Sequence, residues 1–544
     1  MMAIDLILVS KNKVETLWKH GNVYSTSESS SEISGAFKKF LNNSESDYLL
    51  TWDFALGAPD FKHVQKILEK PGDVWHGGLS LGMQGAPDIL RYVIPGWSLG
   101  LDPDVKMESS SWRLSLKCCL LKRDVIKQLG GPLEMFSSTE AASLELGYRY
   151  VNNGVFTRYI PGLSGVASLE KVRIPIQDQF KFLSLYYPKQ WRYWSLCRAL
   201  LKGRINSFHE LKSILAIIRE TKLYHCDYYH HPLPKEIIKC APIASVSVLI
   251  PTLSRYAYLT ELIPQLESQT IKPKEIIVVD QTPSDQRQKI TSTDPQIDLK
   301  VIYMDQPGQC SARNLGLNSS SGDYILFLDD DTEIPQNLIE LHLENLEWFG
   351  SNISCGTVDD LTAREVLRDY SFFKISPVFA AGNTLLKRNI LNRTGLFDQS
   401  MDRKSNEDGE LFLRMYLQGE LMVLSPNTKI IHYHAPSGGL RTHAQRKITY
   451  ASSRKSLIKR RLLNHAEFYI LKRYYDQESI HESFLLSILG TFSIHGNLLK
   501  KMAKIFISLF LLPDTILKLA HAEKQAECML AEESPDIPPF VGSA

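Results

Sequence analysis

Apolar and polar positions alternate with two different periods along the second half of the chain. Four short apolar runs, each bounded by polar or turn residues, are typical of buried strands. Three intervening segments repeat their apolar residues at helical spacing. The predicted strands are 245–251, 274–280, 299–305 and 324–331, and the predicted helices are 256–269, 308–322 and 335–349. Strands that alternate with helices predict an α/β fold with a mainly parallel sheet covered on both faces.

Three consecutive carboxylates, Asp329, Asp330 and Asp331, stand where the last of these strands ends. Ligands of open α/β sheets bind beyond the carboxyl ends of the strands, and Asp280 ends a second strand in the same way. Packed carboxylates need positive charge, and Mg²⁺ or Mn²⁺ prefers one or two carboxylates together with substrate phosphates. The cluster therefore predicts a metal–diphosphate site, with a solvated acidic loop as the alternative.

Several motifs occur in an order and spacing that resemble an inverting family 2 glycosyltransferase of GT-A fold. They are "SVSVLIPTLSR", "EIIVVDQT", "GQCSARNLGL", "YILFLDDDTEIP", "AAGNTLLKRNIL" and "NEDGELFLRMYLQG". The resemblance implies a three-layer α/β/α catalytic domain over residues 241–440. It also implies a UDP-, GDP- or dTDP-sugar donor, a Mn²⁺ or Mg²⁺ cofactor, and a glycan or lipid-linked acceptor.

The resemblance implies roles for individual side chains at the predicted sheet edge. Asp280 resembles the residue that reads the base and ribose, with a capping role as its alternative. Arg313 resembles a residue near the base or diphosphate, with a solvated helix position as its alternative. The implied nucleotide-sugar-binding residues are Pro251, Thr252, Asp280, Arg313, Asp329 and Asp330. The implied metal ligands are Asp329, Asp331 and His434, with His432 as the alternative histidine.

Catalysis is implied at the pair Glu407 and Asp408, which matches the family's ED motif. Asp408 resembles the base that deprotonates an acceptor hydroxyl, so that its oxygen attacks the anomeric carbon. Glu407 should raise the pKa of Asp408 by like-charge repulsion. The alternative is acidic charge placed at a helix N-terminus, where it favours the helix dipole.

The N-terminal part repeats features of the motif-bearing part. Placed without a gap on 383–426, residues 118–161 are identical at ten of 44 positions, where chance would give roughly three. In a second match, of 48–59 with 324–335, Asp53 aligns with Asp329, whereas the two following aspartates have no carboxylate counterparts. The ED pair has none in the first match. We therefore predict that residues 1–165 form a degenerate GT-A-like domain, with coincidence as the alternative.

The remaining segments are mostly helical in pattern. Residues 166–240 are predicted as a helical linker, 441–525 as a basic, amphipathic helical region, and 526–544 as a disordered tail. From Arg441 to Lys504 there are 13 Lys or Arg against four Asp or Glu, beside apolar helices too short to span a bilayer. This pattern predicts a peripheral position on the inner face of the cytoplasmic membrane, with a solvated helical cap as the alternative.

Composition narrows the partners and the class of protein. The net charge of +2 and the lack of a recognised binding motif argue against a nucleic-acid partner. Eight scattered cysteines without CxxC spacing predict free thiols in a reducing, cytoplasmic setting. The sequence thus predicts a metal-dependent, inverting glycosyltransferase of surface polysaccharide synthesis. A sugar nucleotidyltransferase and a non-catalytic glycan-assembly scaffold are the alternatives.

Overall fold

The computed structural model describes residues 3–9, 21–26, 29–78, 88–164, 174–232, 245–360, 368–377, 380–435, 448–532 and 537–541. Within these residues the chain forms two β-sheets, one in each half, and helices join and flank them. The predicted α/β class, with a second α/β domain before the motif-bearing one, is confirmed. The predicted domain boundaries near 165, 240 and 440 lie outside the described residues.

The N-terminal sheet has seven strands, and its neighbouring strands follow the order β2-β1-β3-β6-β4-β7-β5. The strands are β1 (Ile4–Val9), β2 (Val23–Thr26), β3 (Tyr48–Asp53), β4 (Val74–His76), β5 (Ser109–Ser110), β6 (Cys118–Lys122) and β7 (Thr157–Tyr159). The helices are α1 (Ser30–Asn43), α2 (Phe61–Leu68), α3 (Asp88–Arg91), α4 (Arg123–Leu129) and α5 (Thr139–Asn152). All six residues of β1 are buried, as expected for a central strand covered on both faces.

The C-terminal sheet has eight strands in the order β10-β9-β8-β11-β14-β13-β15-β12. The strands are β8 (Val246–Thr252), β9 (Glu275–Asp280), β10 (Asp298–Tyr303), β11 (Tyr324–Leu328), β12 (Thr332–Glu333), β13 (Ile353–Asp360), β14 (Asn383–Lys387) and β15 (Met422–His432). The helices are α9 (Tyr256–Glu267), α10 (Gln309–Asn318), α11 (Leu338–Phe349), α12 (Leu391–Thr394) and α13 (Glu407–Leu417). Six of these strands point the same way, and β14 and β12 oppose them.

The two sheets share one strand order and one set of strand directions. The order β2-β1-β3-β6-β4-β7 corresponds, strand by strand and in the same chain order, to β9-β8-β11-β14-β13-β15, and the parallel or antiparallel sense agrees for each neighbouring pair. The edge strands β5 and β12 take the same place and direction in their sheets, but β5 follows β4 in the chain, whereas β12 precedes β13. Tyr48 lies opposite Lys122 in the first sheet, and Tyr324 lies opposite Lys387 in the second. Lys122 and Lys387 are also aligned in the gapless sequence match, so register and sequence agree.

A buried ion pair recurs at aligned positions of the two domains. The Arg149 guanidinium contacts the Glu145 carboxylate at 2.9 Å and donates to the Gly131 carbonyl at 2.8 Å. In the second domain Arg414 contacts Glu410 at 3.0 Å and donates to the carbonyl of Leu396, also at 2.8 Å. Each arginine thus fixes the loop that precedes its helix. A buried charge needs such partners, which explains why both members of the pair are present in each domain.

The other helices connect and cover these domains. They are α6 (Ile176–Tyr186), α7 (Lys189–Leu201), α8 (Phe208–Glu220), α14 (Tyr450–Lys455), α15 (His465–Tyr474), α16 (Gln477–Gly490), α17 (Leu498–Phe510) and α18 (Leu512–Glu532). A buried ion pair between Arg198 of α7 and Glu482 of α16 ties the linker to the C-terminal helices, with Nε 3.0 Å from Oε2.

The tail differs from the disordered segment predicted after residue 525. Helix α18 continues to Glu532, and residues 537–541 lie against the C-terminal domain. The Pro538 carbonyl accepts a hydrogen bond from Leu396 N at 3.1 Å, and Phe540 packs under the Arg388 guanidinium at 5.2 Å. A Pro-rich composition did not reveal these contacts, because they are made with residues far away in sequence.

Candidate active site

A cleft of about 380 Å³ lies at the edge of the C-terminal sheet where β8 and β11 end. It is lined by Pro251, Thr252, Leu253, Arg255, Gln281, Gln309, Arg313, Asp329, Asp330, Asp331, Arg403, Lys404, Ser405, Asn406, Glu407, Asp408 and His432. The aspartate cluster and the ED pair therefore share one cleft, although about eighty residues of sequence separate them. The strand-end position of the cluster predicted a ligand site at this edge, and the family resemblance implied that the ED pair belongs to it.

Two of the three clustered aspartates point into the protein and are neutralised there. Asp330 accepts hydrogen bonds from the Thr252 hydroxyl and the Arg255 guanidinium, both at 2.8 Å. Asp331 lies 3.2 Å from Arg255 and 3.1 Å from His432 Nε2. The third carboxylate, that of Asp329, differs because its side chain remains 38% exposed in the cleft.

The same contacts set the protonation of the buried pair. Burial raises the pKa of Asp330 to about 6, and the Arg255 guanidinium limits the rise. Burial would also raise the pKa of Asp331. Hydrogen bonds from His432 and the backbone N–H of Ala435 outweigh burial and bring that pKa well below its usual value. Asp331 is consequently held as a carboxylate.

Arg313 connects the aspartate cluster to the ED pair. Its guanidinium lies 3.0 Å from the Glu407 carboxylate and 3.6 Å from that of Asp329, and it packs over the Phe397 ring. The side chain is mostly buried, so the alternative of a solvated helix arginine is excluded. Nearby acidic groups raise the pKa of Arg313 against the effect of burial, so the guanidinium stays charged.

The ED pair begins helix α13. Asn406 precedes it with φ 70°, a left-handed conformation that asparagine tolerates, and this turn directs the first helical residues into the cleft. Burial, followed by the Glu407 charge, raises the pKa of Asp408 to about 7. A carboxylate that titrates near neutral pH can accept a proton and release it again.

A short loop supplies cations to the other wall of the cleft. Asp402 accepts hydrogen bonds from the backbone N–H groups of Cys310 and Ser311, which ties this loop to the start of α10. The approach is close, because a Cβ on Gly308 would lie 2.6 Å from the Asp402 carboxylate. Arg403 and Lys404 follow and line the cleft, where their charges suit a diphosphate.

Asp280 lies deeper than its implied role in reading the nucleotide requires. Its carboxylate accepts hydrogen bonds from the Tyr256 hydroxyl at 2.6 Å and from the backbone N–H of Thr282 at 2.9 Å, and the residue is fully buried. Gln281, the next residue, lines the cleft. Asp280 therefore holds Tyr256 and the turn at Thr282 in this structure, and its contact with a nucleotide stays a prediction.

Of the two candidate histidines, His432 lies beside the aspartates, and the identity of the metal-binding histidine stays a prediction. The Nε2 of His432 lies 3.1 Å from Asp331 and 3.9 Å from Asp329, whereas His434 contacts His432 through a 2.8 Å Nδ1···Nδ1 hydrogen bond. Across the described residues, no group of three or more His, Cys, Asp or Glu is arranged to hold a metal by itself. The donor set fits a cation shared with substrate phosphates and does not fit a closed protein cage.

Sequence reasoning missed Arg255, the partner of both buried aspartates. It follows Ser254, which has φ 55°, and this turn after β8 brings the guanidinium back over the sheet edge. The motif "SVSVLIPTLSR" contains the residue, but no local pattern shows which carboxylate it meets. Three uncompensated charges at one strand end were the available signal that a cation had to be close.

The corresponding positions of the N-terminal domain are filled differently. Asp53 caps a short turn by accepting a hydrogen bond from Ala55 N at 2.9 Å. The hydroxyl of Ser143, aligned with Asp408, is buried and bonds to Leu116 N and to the Thr139 carbonyl. Each of these side chains thus bonds to nearby backbone groups, and the position aligned with Asp408 has no carboxylate.

Comparison with known proteins agrees with the cleft's location. Residues 247–395 match the family model described as glycosyl transferase family 2. Glycosyltransferase GlyA of Streptococcus pneumoniae is 25% identical over 221 residues, or 36% of this chain and 31% of its own. A GalNAc(5)-diNAcBac-PP-undecaprenol beta-1,3-glucosyltransferase of Campylobacter jejuni is 32% identical over 93 residues, or 16% of this chain and 30% of its own. The chain thus spans about a third of the length of each relative.

Among solved structures, S. aureus TarS 1-349 in complex with UDP-GlcNAc aligns with 18% identity and a TM-score of 0.31, covering 53% of this chain and 88% of TarS 1-349. The matched segment 247–395 contains the aspartate cluster, Arg313 and the strands that position them. The likeness to family 2 glycosyltransferases thus covers the part of the chain that carries this half of the cleft.

Proposed function

We propose that the protein transfers a sugar from a nucleotide-sugar donor to an acceptor hydroxyl with inversion at the anomeric carbon. The observation that carries the proposal is the single cleft in which Arg313 links Asp329 to the ED pair. A donor diphosphate beside Asp329 would leave its sugar next to Asp408. One carboxylate near the sugar, with a pKa of about 7, suits direct displacement by an activated hydroxyl.

In the proposed reaction Asp408 accepts the proton of the acceptor hydroxyl as the oxygen attacks the anomeric carbon. The bond from that carbon to the diphosphate oxygen breaks, and the nucleoside diphosphate leaves with the electron pair. Arg403 and Lys404 would stabilise the charge that develops on the leaving group. Glu407 holds Arg313 in place and keeps the pKa of Asp408 high.

We further propose a divalent cation, Mn²⁺ or Mg²⁺, at Asp329 and Asp331 with His432 or His434. When bound, it would neutralise charge on the diphosphate. Support comes from the exposed Asp329 carboxylate and from the convergence of both aspartates on His432. UDP-, GDP- and dTDP-sugars remain the candidate donors, and surface polysaccharide synthesis is the proposed setting.

The function is tested by incubating the purified full chain with these nucleotide-sugars and Mn²⁺ or EDTA, and by measuring released nucleoside diphosphate. We expect metal-dependent release from one donor, lost in Asp329→Ala and reduced at least a hundredfold in Asp408→Asn. The matched control is Asp53→Ala, which changes the aligned aspartate of the N-terminal domain and should retain the rate.

Companion assays of nucleotidyl transfer and of nucleotide binding, on the same purified chain, separate the other functions. Pyrophosphate released from a sugar 1-phosphate and a nucleoside triphosphate would identify a nucleotidyltransferase. Failure of every nucleotide to bind, with or without metal, would favour the scaffold. A loss of turnover in Asp53→Ala equal to that in Asp329→Ala would place chemistry in the N-terminal domain.

We also propose that residues 1–165 are a degenerate second GT-A-like copy. Support comes from the shared strand order, the shared register of Tyr48 with Lys122 and the repeated buried ion pair of Arg149 with Glu145. The side chains at the aligned catalytic positions point to a structural role. The domain would then support the catalytic one without binding a donor.

Finally, we propose that helix α17 docks on an anionic membrane surface at the inner face of the cytoplasmic membrane. This helix turns a charged residue inward: Lys504 is buried and donates to three backbone carbonyls at 2.9–3.1 Å. The outer face is apolar: Leu498, Leu499, Phe506 and Phe510 are 69–84% exposed. Large exposed apolar faces mark interaction sites. Exposed lysines and arginines lie near the apolar face of α17, at positions 454, 455, 459, 500 and 501.

The helix geometry agrees with docking on a surface. No single described helix is long and apolar enough to cross a bilayer, and α17 with the following Leu512–Ala531 passes the same test only as a pair bent by 61°. Basic residues beside an apolar helical face favour anionic lipids.

Membrane docking is tested by co-sedimentation with vesicles of phosphatidylcholine containing or lacking phosphatidylglycerol. We expect binding to the anionic vesicles, loss in Phe506→Ser/Phe510→Ser, and no change in Phe208→Ser. Phe208 is the matched control, because it is 82% exposed on α8, distant in sequence from the basic segment. Equal sedimentation of all variants, or a dimer that disappears in the double variant, would contradict docking on lipid.

A further inference from the structure

A second cavity of about 420 Å³ borders the active-site cleft. Asn406 and Asp408 line both spaces, so the carboxylate proposed as the base lies at their junction. The first space contains the aspartate cluster and the cations. The second space contains neither, which makes the two sides of Asp408 chemically different.

The second cavity has a largely apolar wall built by the C-terminal helices. Leu463 precedes α15, Ile470 lies on α15 and Leu486 lies on α16, and all three are half-buried. Polar side chains line the space as well: Asp408 at its border with the cleft, and Glu467, Ser483 and Ser487 on the helices. A ligand that fits this distribution has a polar end beside Asp408 and an apolar end along the helices.

The N-terminal domain closes one side of this cavity. Pro95 and Ser98 line it, and the Gly96 carbonyl between them accepts a hydrogen bond from the Tyr475 hydroxyl at 3.1 Å. Arg91 anchors the same segment, 2.9 Å from Asp476. The N-terminal domain therefore contributes a wall to the space beside the proposed base.

We propose that this cavity is the acceptor groove and that it binds amphipathic acceptors, in which a sugar hydroxyl is attached to an apolar aglycone. The inference rests on the proposed glycosyltransferase function and specifies its acceptor class. The sugar lies at Asp408, and the aglycone lies against Leu463, Ile470 and Leu486. Each methylene buried there should raise affinity about fourfold.

The groove is connected to the proposed membrane-docking helix through α14 and the residues that follow it. Tyr450 lines the groove and begins α14, and the carbonyls that follow α14 hold the buried Lys504 of α17. An acceptor whose aglycone is anchored in lipid could thus reach Asp408 while α17 lies on the same surface.

The groove is tested by photo-crosslinking, which needs no knowledge of the acceptor sugar. The full chain is irradiated with octyl glycosides of glucose, galactose and N-acetylglucosamine that carry a diazirine on the alkyl chain, below their micellar concentration. Labelled peptides are identified by mass spectrometry. We expect saturable labelling of residues 463–471 and 483–487 by at least one probe.

Two variants of α16 make the result specific. Leu486→Glu should lower saturable labelling at least tenfold, whereas Leu489→Glu, three residues on at an exposed position, should retain it. Thermal melting of both variants establishes that they fold. Labelling confined to α17, or groove labelling that Leu486→Glu does not reduce, would overturn the inference.

An activity measurement separates this inference from the function on which it rests. With the donor found above, octyl acceptors should exceed the matching methyl glycosides at least tenfold in kcat/KM. Donor turnover by the wild-type chain without that preference would overturn the acceptor groove and leave the transferase intact. The crosslinking result stands by itself if no donor is turned over.

Discussion

A pH profile of sugar transfer tests the assignment of Asp408 as the base. Its pKa is raised to about 7, chiefly by burial and then by the charge of Glu407, while Arg313 opposes the rise. The thiol of Cys355 also faces this carboxylate, but burial raises its pKa to about 12 and keeps it neutral. The rate should therefore follow the deprotonated fraction of Asp408, about 9% at pH 6 and about 91% at pH 8.

The two charged neighbours should move this acidic limb in opposite directions. Glu407→Gln removes a repelling charge and releases Arg313 to face Asp408, so the limb should fall by about one pH unit. Arg313→Gln removes the attracting charge, and the limb should rise by a similar amount. The plateau rate is expected to drop in both variants because both side chains line the cleft, so only the position of the limb is scored.

The assay is kcat/KM for the identified donor and acceptor between pH 5 and 9. Asp305→Asn is the control, since that carboxylate is 85% exposed on the surface and should leave the limb unchanged. An acidic limb that persists in Asp408→Asn, or that shifts the same way in both neighbour variants, would refute the reasoning.

Three further predictions concern the same cleft. Arg255→Ala leaves two buried carboxylates without their cation and should lower the free energy of unfolding by about 3–5 kcal/mol, whereas Arg287→Ala, at a surface pair, should cost less than about 1 kcal/mol; urea unfolding measures both. Gly382→Ala places a Cβ 2.4 Å from Asp329 and should weaken donor binding at least tenfold by calorimetry, with an unchanged melting temperature as the check on folding. Asp408→Asn should stabilise the fold by about 1–2 kcal/mol at pH 8. The reason is that the pKa of Asp408 is higher in the folded chain than in the unfolded chain, so its ionised form destabilises the fold at any pH above the unfolded-state pKa. The gain should vanish below about pH 4, and an equal gain at pH 4 would contradict this prediction.

The sequence was sufficient for those parts of the fold that depend on local pattern. The strand predicted at 274–280 is observed at Glu275–Asp280, and the helix predicted at 256–269 is observed at Tyr256–Glu267. Apolar runs locate strands because burial is continuous along them. The strand-end position of Asp329 was also sufficient to predict a ligand site there, whereas the presence of Asp408 in the same site was implied only by the family resemblance.

Other features could not be predicted because they depend on pairing across long sequence distances. Arg255 lies seventy-five residues from Asp330, and the charge of either residue alone does not identify the other. Asp280 ends its strand as predicted, yet whether its carboxylate faces solvent or Tyr256 depends on how α9 packs. The acceptor groove likewise required three segments, from residues 95–98, α13 and α15–α16, to be placed together.

The proposed duplication explains which residues each domain kept. Removing one member of the buried pair Glu145 and Arg149 would cost about 3–5 kcal/mol, so the pair persists without any catalytic role. An isolated carboxylate with a raised pKa has the opposite effect, because its ionised form destabilises the fold. Without a substrate to bind, substitutions such as that at Ser143 are favoured by stability alone. A domain that keeps its fold without catalysis is therefore expected to retain the structural ion pair and to lose the cleft carboxylates. Its surface is then available to form one wall of the acceptor groove beside the other domain.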